Sequence, residues 1–444
     1  MCGIAGLIAE KELVVRRALT PMVMAQVHRG PDDSGEAILP LGARFLGLGF
    51  RRLSIQDLSA AGHQPMVHPV TGDQIIFNGE IYNFIALRKE LEQAGEKFTG
   101  HSDTEVMLHA LTLWGPAAVA RFEGMFAFAY YDRRNQCLML ARDSVGIKPL
   151  YVAMVDGTFF FASEVRAILA SGLVSRKLSH AGVAGMLAYG AVQQPLTVFE
   201  QIRCFPPGHY QLFMASGAVT APVKFWDYPL PQLQMTGTDV VEKLRITLDA
   251  AVHDHLVADV PVGVFLSSGL DSTIIAGLAA RHTRRLRSFT VGFADQGDLS
   301  EQAMATETAR LFGLDHTNID LSAGDAEAAM VEWLQSLDQP SMDGLNVFVI
   351  SKAVRAHGIT VALSGQGGDE LFGGYASFND VPRLYHAMRK MRWMPASLRG
   401  AAAGVLGARK SHAVRQKLID LFRSDGAVLS LALQRRRAIS NNQM

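Results

Sequence analysis

A chain of 444 residues has room for two or three domains of about 100–200 residues each. Its apolar content (49%), moderate charge (19%) and formal net charge of zero fit a globular protein with a large core. They give no global field favouring nucleic acid or an anionic membrane. Cys2, Cys137 and Cys204 make no disulfide framework and suit a reducing compartment. Lys11, Arg16 and Arg17 break up anything like a signal peptide, and no uncharged apolar run reaches the roughly 18 residues of a membrane span. A cytoplasmic protein is expected.

Residues 1–205 read as one layered α+β unit. Short β-type runs recur at Gly3–Ile8, Phe45–Leu48, Gln74–Phe77, Phe126–Tyr131, Cys137–Ala141 and Thr158–Ala162. Helical spacing lies between them at Val14–Val27, Ile85–Glu92 and Thr104–Trp114. Many short strands with a few helices predict sheets covered by helices. From 206 to 236 the texture changes. Pro206, Pro207, Pro222, Pro229 and Pro231 forbid a long helix or a central strand, so a closing hairpin running into a linker is expected.

Residues 237–444 alternate between helix and strand. Helices are predicted at Val240–Leu256, Ser272–Arg281, Leu299–Phe312, Ala326–Ser336 and Val347–His357. Strands are predicted at Val262–Leu266, Leu286–Phe293 and Ile359–Leu363. That order indicates a doubly wound parallel sheet, with ligands beyond the carboxyl ends of its strands. The tail from Arg383 holds 13 Lys/Arg against 2 Asp. Val414, Leu418, Leu421 and Phe422 at helical spacing favour packed helices there over a nucleic-acid surface.

Polar clusters carry the chemistry. Cys2 becomes the first residue once Met1 is removed, and then bears a thiol and a free α-amine together. An α-amine titrates near about 7.7–8.0 and can serve as base to a thiol of about 8.5. Arg52 closes a strand, Asn78-Gly79-Glu80 follows another, and Ser102-Asp103 precedes a helix. Asn78-Gly79 can equally be a tight turn, and Ser102 or Asp103 an N-cap. Taken together they suit glutamine: an Arg fork for its carboxylate, acidic groups for its ammonium, and an Asn amide with a Gly N–H as oxyanion hole.

Met1-Cys2-Gly3-Ile4, His28-Arg29-Gly30-Pro31-Asp32, Arg52-Leu53-Ser54-Ile55, Asn78-Gly79-Glu80-Ile81-Tyr82-Asn83 and Ser102-Asp103 resemble the glutaminase domain of N-terminal-nucleophile amidotransferases. The resemblance implies a four-layer αββα sandwich that releases ammonia from glutamine through a thioester on Cys2. Cys2 would be nucleophile and base, and Asn78 with Gly79 the oxyanion hole. Arg52, Asn78, Glu80 and Asp103 would bind glutamine.

Two glycine-rich loops follow strands in the second half. Val264–Ser272, reading VFLSSGLDS, offers backbone N–H groups and hydroxyls at a helix start, an anion cradle. Asp271 within it would repel phosphate unless a divalent cation lay between. Leu363–Tyr375 places five glycines in residues 365–375 beside Asp369-Glu370. Two carboxylates, Asp271 and Asp369, would hold Mg²⁺ on a nucleotide's phosphates. No Gly-x-x-x-x-Gly-Lys-Ser/Thr loop is present, so ordinary γ-phosphoryl transfer is not indicated.

These loops resemble the pyrophosphate-loop ATP pyrophosphatase domain. Joined to the N-terminal segments, they are similar to the glutamine-hydrolysing asparagine synthetases. The resemblance implies ATP, Mg²⁺, glutamine and aspartate as small-molecule partners, with a homodimer as the candidate assembly. Ser267, Gly269, Asp271, Ser272 and Ser364 would bind pyrophosphate, and Phe265, Val291 and Gly365 would flank adenine. Ammonia would cross an internal tunnel to the aspartyl adenylate, and asparagine, AMP and pyrophosphate would leave. Three departures bear on this. Ser268 replaces a signature glycine, and Gln366 stands where well-known members have Glu. The family's later helical segment with a Lys near the adenylate is not found before Met444, so the synthetase domain is expected to be incomplete. Amidation of another carboxylate, or a truncated relative with glutaminase or nucleotide binding only, are the rival expectations. His101 and Lys148 receive no role.

Overall fold

Alternating side chains build the N-terminal half. In the computed structural model, which describes residues 1–229, 237–293 and 301–439, its strands are β1 (Gly3–Ala9), β2 (Asp33–Leu41), β3 (Arg44–Arg52), β4 (Met66–Val67), β5 (Gln74–Ile81), β6 (Gly124–Asp132), β7 (Cys137–Arg142), β8 (Tyr151–Val155), β9 (Thr158–Ala162), β10 (Ile202–Cys204), β11 (His209–Met214) and β12 (Val223–Lys224). They form two six-stranded sheets, ordered β10-β8-β9-β1-β3-β2 and β12-β11-β7-β6-β5-β4, with antiparallel pairing throughout. Ile4 and Ile8 of β1, Leu46, Leu48 and Phe50 of β3, and Ile76 of β5 meet Ala127, Leu138 and Leu140 between the sheets. Burying one such Leu, Ile or Phe contributes about 1.5–3 kcal/mol, so this layer is a principal source of stability.

The outer faces are covered by helices. α1 (Glu12–Met24) and α4 (Val165–Ala170) pack Val15, Leu19 and Ile168 against Leu7 and Phe160 of the first sheet. On the other sheet, α2 (Phe84–Gln93) and α3 (Asp103–Trp114) pack Leu87, Leu91, Val106 and Leu111 against Ile75, Phe77 and Phe128. The layers therefore run αββα. The proline-rich stretch supplies β11, which pairs with β7 and completes the second sheet beyond Cys204. A further helix, α5 (His180–Tyr189), precedes β10.

The C-terminal half begins with α6 (Gly237–Asp254) and a parallel sheet of β13 (Val262–Phe265), β14 (Arg287–Phe293), β15 (Asp315–Leu321) and β16 (Val361–Leu363). Its order is β15-β14-β13-β16, so the chain goes one way from β13 to reach β14 and returns to the other side for β16. That reversal makes the carboxyl ends of β13 and β16 the switch-point crevice. Helices α7 (Leu270–His282), α8 (Glu301–Phe312), α9 (Ala323–Ser336), α10 (Leu345–Ala356) and α11 (Gly368–Phe372) connect and flank the strands. The basic tail folds into α12 (Ser377–Lys390), α13 (Ala396–Leu406), α14 (His412–Arg423) and α15 (Val428–Arg436), where Leu421 packs with Val381, Met388 and Leu431. Pro231 with the end of the expected linker, Leu299 and Asn441–Met444 lie outside the described residues. Among the described residues no helix is long and apolar enough to cross a membrane.

Candidate active site

The twofold alternation of a strand decides where Cys2 points. It precedes β1 with the parity of Ile4 and Ile8, so its side chain is packed against the layer between the sheets. Asn78 and Glu80 share the parity of Ile76 on β5 and face the same layer from the opposite sheet. Both sheets thus deliver their polar residues to one end of the sandwich. Asn78-Gly79 is not a turn: both residues sit inside β5, paired with Ala127 and Phe126 of β6. Glycine is required at 79, because a Cβ there would collide with the Met125 carbonyl oxygen.

A cavity of about 50 Å³ opens at this point, lined by Cys2, Arg52, Gln56, Gly79, Glu80, Asp103 and Lys148 among others. The Leu53 N–H donates to the Cys2 Sγ at 3.4 Å, and Arg29 Nε donates to the Cys2 carbonyl oxygen at 2.9 Å. Burial pushes the Cys2 thiol upward, more than the Leu53 contact and the neighbouring amine lower it. Asn78 is buried, and neither its Nδ2 nor its Oδ1 has a hydrogen-bond partner. An orphaned buried amide of this kind costs about 1–3 kcal/mol and calls for a ligand.

Arg52, the last residue of β3, is held from behind. Its guanidinium donates to the carbonyl oxygens of Ser59 (3.0 Å), Gln56 (3.3 Å) and Asp57, and rests on Gly62, where a Cβ would strike it. Ser102 takes the N-cap of α3, accepting from the Glu105 N–H, and so leaves Asp103 free to face the cavity. Asp103 is buried and accepts from the Ile81 N–H at 2.9 Å. Burial raises its carboxyl to about 7, with Glu80 adding to the rise. Glu80 is likewise raised by burial, while Lys148 is lowered by burial against the pull of Glu80. Two basic side chains, Arg52 and Lys148, thus share the cavity with Glu80 and Asp103, which suits a zwitterionic guest.

The second candidate site lies at the switch point. After β13, Ser267 Oγ and Ser272 Oγ are 2.9 Å apart, and Ser272 Oγ also donates to the Gly269 carbonyl oxygen at 3.0 Å. This ties the loop to the first turn of α7. The loop after β16 packs directly onto it. A Cβ at Gly365 would lie 2.7 Å from the Asp271 Cβ, and one at Gly368 would collide with the Asp271 carboxylate. Two glycine backbones therefore press on one acidic side chain, and Asp369 is the next residue. Ser364, Gln366 and Asp369 are exposed along this loop. Phe265 ends β13, Val291 lies two residues before the carboxyl end of β14, and Gly365 falls two residues beyond β16.

Residues 1–226 match the family model described as Glutamine amidotransferase domain, a little over half of the chain, and residues 243–442 match that described as Asparagine synthase. "Asparagine synthetase [glutamine-hydrolyzing] 1" of Bacillus subtilis is 33% identical over 417 residues, 90% of this chain and 65% of that protein. "Putative asparagine synthetase [glutamine-hydrolyzing] 2" of Methanocaldococcus jannaschii is 32% identical over 395 residues, 84% of this chain and 76% of that protein. The chain belongs to the glutamine-hydrolysing asparagine synthetase family. It spans less than two thirds of the Bacillus relative's length. A protein named "Amidase chyE" from Penicillium rubens is also 32% identical, over 79% of this chain and 54% of its own length.

Several residues in and around this family member's first cavity receive no role from the sequence. Gln56, Gln64, Thr104 and Lys148 come from separate loops and elements, and Arg29, with His28, meets Glu164 across 135 positions. Elsewhere the fold gathers His68, Glu96 and His109, with His109 Nδ1 2.6 Å from Glu96 Oε2 and 3.2 Å from His68 Nε2. His68 Nδ1 accepts from the Val70 and Thr71 N–H groups, so the neutral ring carries its proton on Nε2, the atom turned to the cluster. The trio is thereby a hydrogen-bond network.

Proposed function

We propose that the chain hydrolyses glutamine at Cys2 and passes the ammonia to a carboxylate activated with ATP, aspartate being the first acceptor. The observation that carries this reading is the convergence of Cys2, Arg52, Glu80 and Asp103 on one cavity, with the unpartnered Asn78 amide beside them. Removal of Met1 frees the Cys2 α-amine. The Met1 amine one residue away is pushed down to about 5, chiefly by burial, with Arg29 and Lys148 adding. A Cys2 amine freed there lies beside its own thiol and can take the thiol proton.

Glutamine enters with its carboxylate on Arg52 and its ammonium on Asp103 and Glu80. The Cys2 sulfur attacks the side-chain amide carbon, and the Asn78 amide and Gly79 N–H meet the oxyanion. Collapse breaks the C–N bond, the ammonium returns its proton to nitrogen, and ammonia leaves a thioester that water converts to glutamate.

At the second site the donors are oxygens: the Asp271 and Asp369 carboxylates with the Ser267 and Ser272 hydroxyls. That set fits a hard cation such as Mg²⁺, and the cradle of Gly365 and Gly368 around Asp271 leaves backbone where phosphate can approach. Asp271 and Asp369 would hold the ion, which when bound offsets phosphate charge. The acceptor carboxylate attacks the α-phosphorus, pyrophosphate leaves, and ammonia displaces AMP from the mixed anhydride. Such chemistry suits a cytoplasmic enzyme. The test is incubation with glutamine, aspartate, ATP and Mg²⁺. Asparagine, AMP and pyrophosphate in equal amounts support the proposal, and glutamate without AMP for every acceptor tried rejects its synthetase half.

A second reading rests on Gln366. An exposed neutral amide replaces the carboxylate expected in this loop, which favours an acceptor other than aspartate. Pyrophosphate release across a panel of carboxylic acids separates the two.

A further inference from the structure

The loop that grips Arg52 is also held by a residue of the other half. Asp259 lies three residues before β13, whose far end carries the Ser267–Ser272 loop. Its N–H donates to the Ile55 carbonyl oxygen at 2.9 Å, and its Oδ2 accepts the Asp57 N–H at 2.7 Å. The same Oδ2 accepts His101 Nε2–H at 2.8 Å. One residue therefore clamps segment 55–57 from both polarities and pins the His101 ring beside it.

The segment so clamped is the one that grips Arg52, through the carbonyl oxygens of Gln56, Asp57 and Ser59. Asp57 adds the inner half of the joint. It is buried, and its carboxylate accepts from Ser59 Oγ (2.5 Å), the Ser59 N–H (3.2 Å) and the His101 N–H (3.0 Å). Burial alone would raise that carboxyl, but these hydrogen bonds hold it below the ordinary range, so the joint stays charged and strongly accepting. The path from the ATP-side sheet to the guanidinium thus runs β13, Asp259, Asp57, Arg52, with a hydrogen bond at every transfer between chain segments.

We propose that Asp259 is a positioning residue for glutamine recognition: by fixing the 55–59 loop from the second domain it sets the Arg52 guanidinium at the glutamine carboxylate. The inference rests on the glutaminase reading above. A carboxylate fork tolerates little displacement, and the contact it serves is with the non-reacting end of glutamine, so loss of Asp259 acts on binding more than on chemistry.

The experiment uses the full chain. Asp259→Ala is expected to raise the KM for glutamine about tenfold or more, the worth of a charge-assisted hydrogen bond, with kcat for glutamate formation within about twofold. Asp259→Asn keeps an oxygen in the Oδ2 position for both the Asp57 N–H and His101 Nε2–H and loses only the charge, and is expected to fall between. Labelling separates position from general damage. Iodoacetamide should alkylate Cys2 of Asp259→Ala at the parental rate, whereas the glutamine-shaped electrophile 6-diazo-5-oxo-norleucine should react severalfold more slowly. A parental KM in Asp259→Ala overturns the proposal, as does an equal loss of both labelling rates. A parental chain that makes no glutamate from glutamine instead overturns the glutaminase reading beneath it.

Discussion

Arg29 grips Cys2 from behind: its Nε lies 2.9 Å from the Cys2 carbonyl oxygen while its Nη1 lies 3.1 Å from Glu164 Oε1. Glu164 also meets His28 Nε2 at 3.0 Å, and the next two backbone N–H groups, of Val165 and Arg166, are received by Asp338 at 2.7 and 2.8 Å. Cys2, the proposed nucleophile, is thereby fixed through its carbonyl just before β1, with its sulfur free of strong partners.

From this pair follows the first prediction. Arg29→Ala frees the Cys2 backbone, and a displacement of about 1 Å at a reacting atom is worth about 100-fold. Glutamine turnover should fall about 10- to 100-fold, with the loss mainly in kcat. Glu164→Gln should show a smaller loss and a pH-dependent stability difference. Burial would raise the Glu164 carboxyl, but His28 and Arg29 hold it below its ordinary 4.5. A group lowered in the folded state stabilises above its unfolded pKa and loses that effect as pH falls through the folded value. Denaturant midpoints of the two proteins should therefore differ at pH 7 and converge toward pH 3.

Asp103 gives the second prediction, of opposite sign. Its carboxyl is raised to about 7 by burial and by Glu80, and in the proposed reaction it receives the glutamine ammonium only when ionised. The ionised fraction falls toward tenfold per pH unit below that value, and a bound ammonium pulls the proton off. The KM for glutamine should rise as pH drops from 8 to 6, measured as glutamate formation. Asp103→Asn should show a high KM with that limb of the profile flattened.

The chain made some of this architecture legible and hid the rest for physical reasons. Regular alternation in Gly3–Ile8 and Phe126–Tyr131 marked strands that β1 and β6 extend by one to three residues. β2 escaped because an edge strand reading Asp-Ser-Gly-Glu-Ala has no buried face to enforce alternation. Asn78-Gly79 carries turn chemistry yet lies in a strand, since β6 backbone approaches too closely for any other residue at 79. Lys148 receives no role from the sequence, and Gln64 and Asp259 carry no local pattern at all. They reach the site by sheet pairing and domain contact, which only three dimensions reveal.

Gly62 supports the third prediction. A Cβ there collides with the end of the Arg52 side chain, a flexible group that can swing aside without disturbing the fold. Gly62→Ala should lower stability through the lost Arg52 hydrogen bonds but still fold, because no backbone conformation at positive φ is at stake. The KM for glutamine should rise about tenfold as the guanidinium leaves the carbonyls of Gln56 and Ser59. Equal KM values would mean that Arg52 does not contact the substrate carboxylate.

The final prediction separates the two sites. Cys2→Ala removes the sulfur and leaves the switch-point loops untouched, so ammonium salts should still support AMP and pyrophosphate formation while glutamine should not. Gly368→Ala does the reverse. Its Cβ meets the Asp271 carboxylate, which must turn out of its place between the two loops. Pyrophosphate release should drop by at least about 100-fold with either nitrogen donor, as expected when a phosphate-facing group is misplaced by an ångström. Glutamate formation in the same variant should persist, since Cys2 and Arg52 belong to the other domain. Loss of both activities in either variant would mean that the halves do not act as separate catalytic units, and that ammonia is released only when the second site is competent.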